Sequence, residues 1–345
     1  MRSLIQRTAF VGYAKGLLSE LEGADPVPTL TDGPRKNRLT TILVVTHDAL
    51  DQTRRCLEAL RACSEQEHPM EIIFVDNGST DGTVEFLREQ DDVQLICNVE
   101  NLGAPRARNQ ALELANGEHI VFMDNDVMVT PGWLGRLLFH AEVDGQSGCV
   151  GCLSDRAGQN QQIAYPADSS DPGDLAAYAG KVSEKNHRRY RNQGLMTSFL
   201  LMVRREVVDA IGGFDERFSP WGFEDDDFSL RAHLTGFRNR VALDVFVRHE
   251  PYRGAKKKAK HDDLLQRNWK RFAKKWGLPK ANAYGNCKGL ERLDHGRWSH
   301  ADLRQPLRPT SAQLDSVPSP TRSLSERPSA PETSCSAAGD ALELA

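Results

Sequence analysis

Four short apolar segments recur between residues 41 and 123, separated by helical patterns and each ended by polar residues. They are Thr41-Ile42-Leu43-Val44-Val45-Thr46, Glu71-Ile72-Ile73-Phe74-Val75-Asp76, Val93-Gln94-Leu95-Ile96 and His119-Ile120-Val121-Phe122-Met123. Residues 51–62, the stretch around 81–90 and residues 104–116 carry helical periodicity between them. Strands apolar on both faces, alternating with helices, predict an α/β fold with a mainly parallel sheet covered by helices on both sides. Such sheets take ligands beyond the carboxyl ends of their strands. Three of those ends are polar here: Thr46-His47-Asp48, Asp76-Asn77-Gly78-Ser79 and Asp124-Asn125-Asp126.

The rest of the chain reads differently. Residues 1–38 open with helix-spaced apolar positions and pass into Pro- and Gly-containing turns, an expected N-terminal helix and linker. Residues 305–345 hold six of the 17 prolines, eight serines and no aromatic residue, a composition that cannot build a core. The expected folded unit is 39–290, with 291–345 a disordered tail. Lys plus Arg is 44 against 48 Asp plus Glu, a net charge of −4, which argues against a nucleic-acid binder. Mean hydropathy is −0.52 and no stretch reaches the ~18 apolar residues of a membrane span. Seven cysteines, an odd count, and no signal peptide lead to an expected cytoplasmic location. Cys149 and Cys152 form a lone CxxC without a second pair at zinc spacing, and are read as structural.

Several nucleotide chemistries are excluded by motif. No GxGxxG follows the first strand, and there is no GxxxxGK[ST], HExxH or GxSxG. Carboxylates stand in their place. Asp76 can accept hydrogen bonds from a base or ribose, or cap the following helix. Asp124 and Asp126, one residue apart at a strand end, either share a hard divalent cation or form a plain acidic loop. Glu224-Asp225-Asp226-Asp227, between Phe223 and Phe228, starts an expected helix at 228–235, whose N-terminus tolerates negative charge and accounts for one or two of the four. Crowding there should raise at least one carboxylate pKa, as a general base requires. His249 is a metal ligand only if it approaches Asp126. Residues 251–280 carry 11 Lys or Arg against Asp262 and Asp263, enough to attract a diphosphate or an anionic lipid, or to form a solvated loop. Within them Trp269, Phe272, Ala273 and Trp276 are spaced as a core-facing stripe.

Taken in order, these pieces resemble the family 2 glycosyltransferases of GT-A fold. The resemblance runs through Val75-Asp76-Asn77-Gly78-Ser79-Thr80-Asp81-Gly82-Thr83, Asn101-Leu102-Gly103, Ala107-Arg108-Asn109, Asp124-Asn125-Asp126, Pro131-Gly132-Trp133-Leu134, Gly212-Gly213-Phe214-Asp215-Glu216 and Glu224-Asp225. The stretch from Trp221 to Asp227 is also similar to the acceptor-side motif of the family 7 β-1,4-galactosyltransferases. The resemblance implies a GT-A sheet and an inverting, metal-dependent transfer from a nucleotide diphosphate sugar, with a mild lean to a UDP-hexose. It implies that Thr46 and His47 hold the nucleoside, that Asp76 bonds the base, and that Arg108 supports the diphosphate. Asp124 would face the ribose or sugar, beside Asn125. Asp126 and His249 would hold Mn²⁺ or Mg²⁺. Asp225 would be the catalytic base, with Trp221, Gly222 and Glu224 on the acceptor. The acceptor itself, whether glycan, lipid-linked, peptide or small molecule, is not readable, and a peripheral membrane contact through 251–280 stays open. Two other readings compete with it: a nucleotide-sugar or glycan binding module without turnover, which Glu224-Asp225 argues against, and a nucleotidyltransferase, which the lack of a Gly-rich loop after the first strand argues against.

Overall fold

A computed structural model describes residues 39–64, 68–158, 161–165, 171–250 and 258–279, with shorter pieces at 282–285, 287, 290, 298–307 and 314–316. The expected N-terminal helix, the cluster Lys256–Lys260 in all but the backbone of its last residues, and most of the Pro/Ser-rich tail lie outside the described residues.

The elements follow in the order β1 (Thr40–Thr46), α1 (Leu50–Cys63), β2 (Met70–Asp76), α2 (Thr83–Arg88), β3 (Val93–Cys97), α3 (Ala104–Leu114), β4 (His119–Asp124), β5 (Val127–Met128), α4 (Trp133–Glu142), β6 (Ser147–Ser154), α5 (Pro172–Lys185), β7 (Tyr190–Asn192), β8 (Leu200–Arg204), α6 (Arg205–Ile211), a 3₁₀ turn (Glu216–Phe218), α7 (Glu224–Leu234), β9 (Arg238–His249), α8 (Lys258–Lys275), α9 (His300–Leu303) and β10 (Leu314–Ser316). The sheet order is β10-β3-β2-β1-β4-β8-β6-β9-β5, with β7 beside β9. Strands β3, β2, β1 and β4 run parallel, as expected from their apolar runs. β8 is inserted antiparallel between β4 and β6, and β6 pairs parallel with β9.

Strand alternation sends each face of this sheet to a separate core. Ile42, Val44, Ile72 and Phe74 meet Cys56, Leu57 and Leu60 of α1 and Leu134, Leu137 and Leu138 of α4. Leu43, Ile73 and Val75 meet Ala107 and Ala111 of α3, Val207 and Ile211 of α6, and Phe228 and Ala232 of α7. Cys149 and Cys152, three residues apart on β6, go to opposite cores and stay free thiols, so they form neither a disulfide nor a joint metal site. A third core is aromatic. Trp269, Phe272 and Trp276 of α8 bury against Phe218, Phe223 and Leu230, which is the stripe read from their spacing.

Two boundaries differ from expectation. The helix placed at 228–235 begins at Glu224, so all four carboxylates occupy its first turn. The free amides and positive end of the helix dipole favour anions there. The folded unit also does not stop at 290. Gln305 exchanges backbone hydrogen bonds with Ile211 and Gly213 (2.8 and 2.9 Å), Leu303 is buried, and Trp298 packs edge-on against Trp276. A Pro/Ser-rich composition does not stop a few apolar side chains from docking on a core that already exists.

Candidate active site

The ends of β1, β2 and β4 lie side by side, with Thr46 opposite Asp76 and Val45 opposite Asp124 in the ladders. Asp76 is fully buried. Its Oδ1 accepts from the Gly78 and Ser79 amides (3.0 and 2.8 Å), which is the turn-capping role. Its Oδ2 is buried with no hydrogen-bond partner among the described residues. One carboxylate thus closes the turn and still presents an acceptor to whatever fills the crevice. Gly78 sits at φ +80°, and a Cβ there would come within 2.9 Å of the Glu100 backbone. Asp48 ties the loop after β1 to this turn by accepting from the Thr80 amide (2.8 Å). His47 is exposed at the same mouth, 3.6 Å from Asp48. Thr46 and Asn125 are turned toward each other. The Asn125 amide donates to Thr46 Oγ1 and Thr53 Oγ1 (3.0 and 2.9 Å), pinning the acidic turn to β1 and α1.

Asp124, Asp126 and His249 converge. One ligand atom from each lies within 4.8 Å of the other two. His249 reaches the cluster because β9 pairs antiparallel with β5, placing it opposite Val127. Its Nε2 is 3.2 Å from Asp126 Oδ1 and 3.9 Å from Asp124 Oδ2. Its Nδ1 lies 2.8 Å from the Arg156 carbonyl, which can only accept, so Nδ1 carries a proton and Nε2 faces the carboxylates. Burial disfavours the imidazolium, but the hydrogen bond and charge of Asp126, with Asp124 and the Arg156 carbonyl, outweigh it and hold His249 at about 9. Asp126 Oδ1 is buried without a well-aligned hydrogen bond. Burial and the neighbouring Asp126 raise the pKa of Asp124, and Arg108 and His249 only partly offset this.

The third component is the first turn of α7. Phe223 precedes it at φ +72°, a left-handed conformation uncommon for a bulky residue. Glu224 is buried. Its Oε1 takes a hydrogen bond from Arg108 Nη1 (3.1 Å) and its Oε2 one from the Gly222 amide. The other terminal nitrogen of Arg108 reaches Asp124 Oδ1 at 2.9 Å. Asp225 is half-buried and accepts from the Ser198 amide (3.3 Å) and the Asp226 amide (2.9 Å). Burial, then the charge of Asp225, push Glu224 up to about 7, with Arg108 and the Gly222 amide acting against the rise. Burial likewise raises Asp225, against the pull of Arg108 and the two amides. Asp227 points away from the crevice. Asp227 is fully buried and binds Arg231, Lys275 and Trp276 Nε1 (2.9, 2.5 and 3.1 Å). Trp221 is half-buried, its carbonyl held by Asn268 (2.9 Å).

Three contributors have no clear sequence signal. Phe199 stacks under His249, with ring centroids 5.3 Å apart and 14° between planes. Asp155 accepts from the His249 amide at 3.0 Å. The Ser198 amide holds Asp225. Ser198 and Phe199 arrive at the site just before β8, which pairs antiparallel with β4 and β6, whereas Asp155 arrives at the end of β6, which pairs directly with β9.

This sheet and site define a glycosyltransferase of GT-A fold. A mannosyltransferase from Pyrobaculum calidifontis, solved with GDP-Man and Mn²⁺, superposes with a TM-score of 0.55, covering 84% of this chain and 78% of that one at 21% identity. Family models match in sequence: "Glycosyl transferase family 2" over residues 41–212 and "N-terminal domain of galactosyltransferase" over 179–257. The chain belongs to glycosyltransferase family 2. Among similar curated proteins are the glycosyltransferase AglE of Haloferax volcanii, 26% identical over 61% of this chain and 66% of AglE, and the N-acetylglucosaminyl-diphospho-decaprenol L-rhamnosyltransferase of Mycobacterium tuberculosis, 27% identical over 60% of this chain and 72% of that enzyme. In two longer relatives the match spans only 23% and 20% of the relative's length.

Proposed function

We propose that this chain transfers a sugar from a nucleotide diphosphate sugar to an acceptor hydroxyl, with inversion and with Asp225 as base. The observation that carries this is the shared guanidinium. Asp124 and Glu224 lie on the two terminal nitrogens of Arg108, so the acidic turn and the Glu-Asp pair form one site. Asp76 Oδ2 is the acceptor for the base, with Thr46 opposite it in the ladder and His47 next along the chain as the other nucleoside contacts. Asp124 faces the ribose or sugar.

The residues present fit a divalent ion. Asp126 offers a buried, poorly satisfied oxygen, and His249 offers Nε2 with its tautomer fixed from the far side. A mixed carboxylate and imidazole set suits Mn²⁺ better than Mg²⁺, which favours oxygen alone. When bound, such an ion supplies charge compensation to a leaving diphosphate. Asp225 takes the acceptor proton as the acceptor oxygen bonds to the anomeric carbon; the bond from that carbon to the diphosphate breaks, and the nucleoside diphosphate leaves with the electron pair. Glu224 and the Trp221-Gly222 turn orient the acceptor.

The donor is proposed to be a UDP-hexose, and the first acceptor class to assay is a lipid-diphosphate-linked sugar. One relative is named for such a substrate, and α8 exposes Arg267, Lys270, Arg271 and Lys274. No helix among the described residues is long and apolar enough to cross a membrane. A panel of nucleotide sugars with Mn²⁺, Mg²⁺ or EDTA, read by release of UDP, GDP or dTDP, tests the reading. One donor should turn over, and only with metal. Asp225→Asn should still bind that donor and lose on the order of 10²–10⁴ in rate. Failure to bind any nucleotide would sink the assignment, and wild-type turnover by Asp225→Asn would sink the base.

A further inference from the structure

We propose that Arg108 is a positioning residue that sets the acceptor-side Glu224 against the donor-side Asp124, and that it does not touch the donor's diphosphate. The proposal rests on the donor and acceptor assignments above. It departs from the role that family resemblance implies for this arginine.

The geometry leaves the guanidinium no open face. Its side chain is 5% exposed. Nη1 is spent on Glu224 and Nη2 on Asp124. Nε is buried and makes no hydrogen bond among the described residues. The plane of the group lies over the Phe214 ring, 5.3 Å from its centre. A diphosphate oxygen could reach this cation only by displacing one of the two carboxylates.

The local fold also builds the bridge from behind. Asn109, the next residue on α3, donates to the Phe214 carbonyl (3.0 Å) and accepts from the Phe214 amide (2.7 Å). That pair of bonds fixes the aromatic surface on which Arg108 rests. Gly103, at φ +87° just before α3, lets the helix start come within 2.7 Å of Pro220 as measured from its would-be Cβ, and the Ala104 amide donates to the Pro220 carbonyl at 2.7 Å. Helix α3 is thereby fastened to the loop that carries Trp221, Gly222 and Glu224. A planar fork with two parallel donors holds the separation of two carboxylates as a lysine ammonium cannot. The same cation faces Asp124 from β4 and Glu224 and Asp225 from α7, so one charge on α3 is shared between the donor-side and acceptor-side acids.

The test compares wild type, Arg108→Met and Arg108→Lys in donor binding, kcat, KM for each substrate and the pH profile of kcat/KM. Arg108→Met should leave the Kd for nucleoside diphosphate with Mn²⁺ near wild type. It should lower kcat on the order of 10²-fold, the scale of a small misplacement of a reacting group. The acid limb of the profile should move to higher pH, because Glu224 and Asp225 lose the cation that faces them from α3 and keep, among the described residues, the Gly222, Ser198 and Asp226 amides. Arg108→Lys should restore the limb but not the full kcat. A variant that binds diphosphate tenfold or more weaker with an unmoved profile would make Arg108 a donor ligand and overturn the proposal. An unchanged kcat would overturn it as well. If Arg108→Met does not fold, Arg108→Lys is measured on wild-type and Glu224→Gln backgrounds: a smaller cost on the second supports the bridge, and equal costs reject it. Wild-type protein without turnover of any donor would instead remove the proposed function on which this role stands.

Discussion

At the scale of single residues, the site holds more acids than cations, and their environments separate their tasks. Glu224 is the group whose charge is most strained, at about 7 against an ordinary 4.5, through burial and then the neighbouring charge of Asp225. A carboxyl raised in the folded state binds its proton more tightly there than in the unfolded chain. Its stability contribution is therefore greatest below the unfolded value and is lost as pH rises from about 4.5 towards 7. Glu224→Gln keeps the shape and removes the titration. It should gain thermal stability relative to wild type as pH is raised from 5 to 8, by melting at each pH. A difference that stays constant across that range would show that Glu224 is not strained by burial. The gain should come with lost transfer, since the same carboxylate orients the acceptor in the proposed mechanism.

At the scale of elements, α7 divides its opening run of acids between two jobs. Glu224 and Asp225 face the crevice, while Asp227 is sealed with Arg231, Lys275 and Trp276 beneath the aromatic core. Arg231 in turn donates to the Ile211 and Gly213 carbonyls (2.8 and 2.7 Å), so this ion pair locks α7 to the end of α6 and to the C-terminal half of α8. Removing one member of a buried pair leaves the other uncompensated. Asp227→Ala should cost about 3–5 kcal/mol in chemical denaturation, where a solvent-exposed carboxylate elsewhere on the molecule would cost little. A loss under about 1 kcal/mol would mean that Arg231 finds water on its own. The sequence made the run of acids visible but not its division. Helical spacing says which residues share a side, whereas only the packing of α8 says that the side bearing Asp227 is covered. The strands were legible for the opposite reason. Ile42 and Val44 alternate with Leu43 on a strand buried on both faces, and nothing tertiary is needed to read that. His249 was legible as a candidate, but its approach to Asp126 depends on a two-residue strand, β5, too short to carry a pattern of its own.

At the scale of the whole molecule, what composition hid was long-range closure. The antiparallel β8 lies between two parallel halves of the sheet, and its five residues, Leu200–Arg204, are apolar enough to be a strand anywhere. Its place follows from pairing with β4 and β6, which no local window contains. The same holds for the chain beyond 290. Its composition reads as a solvated tail, yet Gln305 forms a bridge to Gly212, and the carbonyl of Leu303 lies 3.5 Å from the Arg231 guanidinium. Gly212 sits at φ +70°, and a Cβ there would fall 1.8 Å from the Gln305 carbonyl oxygen, so the strap runs directly over the Gly212-Gly213-Phe214 turn. That turn carries Phe214, on which Arg108 rests, and is bonded by Arg231. A chain ended at residue 290 would therefore leave the Ile211 carbonyl and the Gly213 amide without their Gln305 partners, uncover the edge of Trp276, and loosen the platform behind the Glu-Asp pair. It should melt below the full chain and lose transfer by more than it loses donor affinity, since the Asp76 and Asp126 ends of the sheet lie on other elements. Gly212→Ala in the full chain should reproduce the same pattern by pushing the strap away. Melting curves and donor Kd values for the three proteins decide it: equal melting of the 290-residue chain and the full chain would show that the strap only rests on the surface.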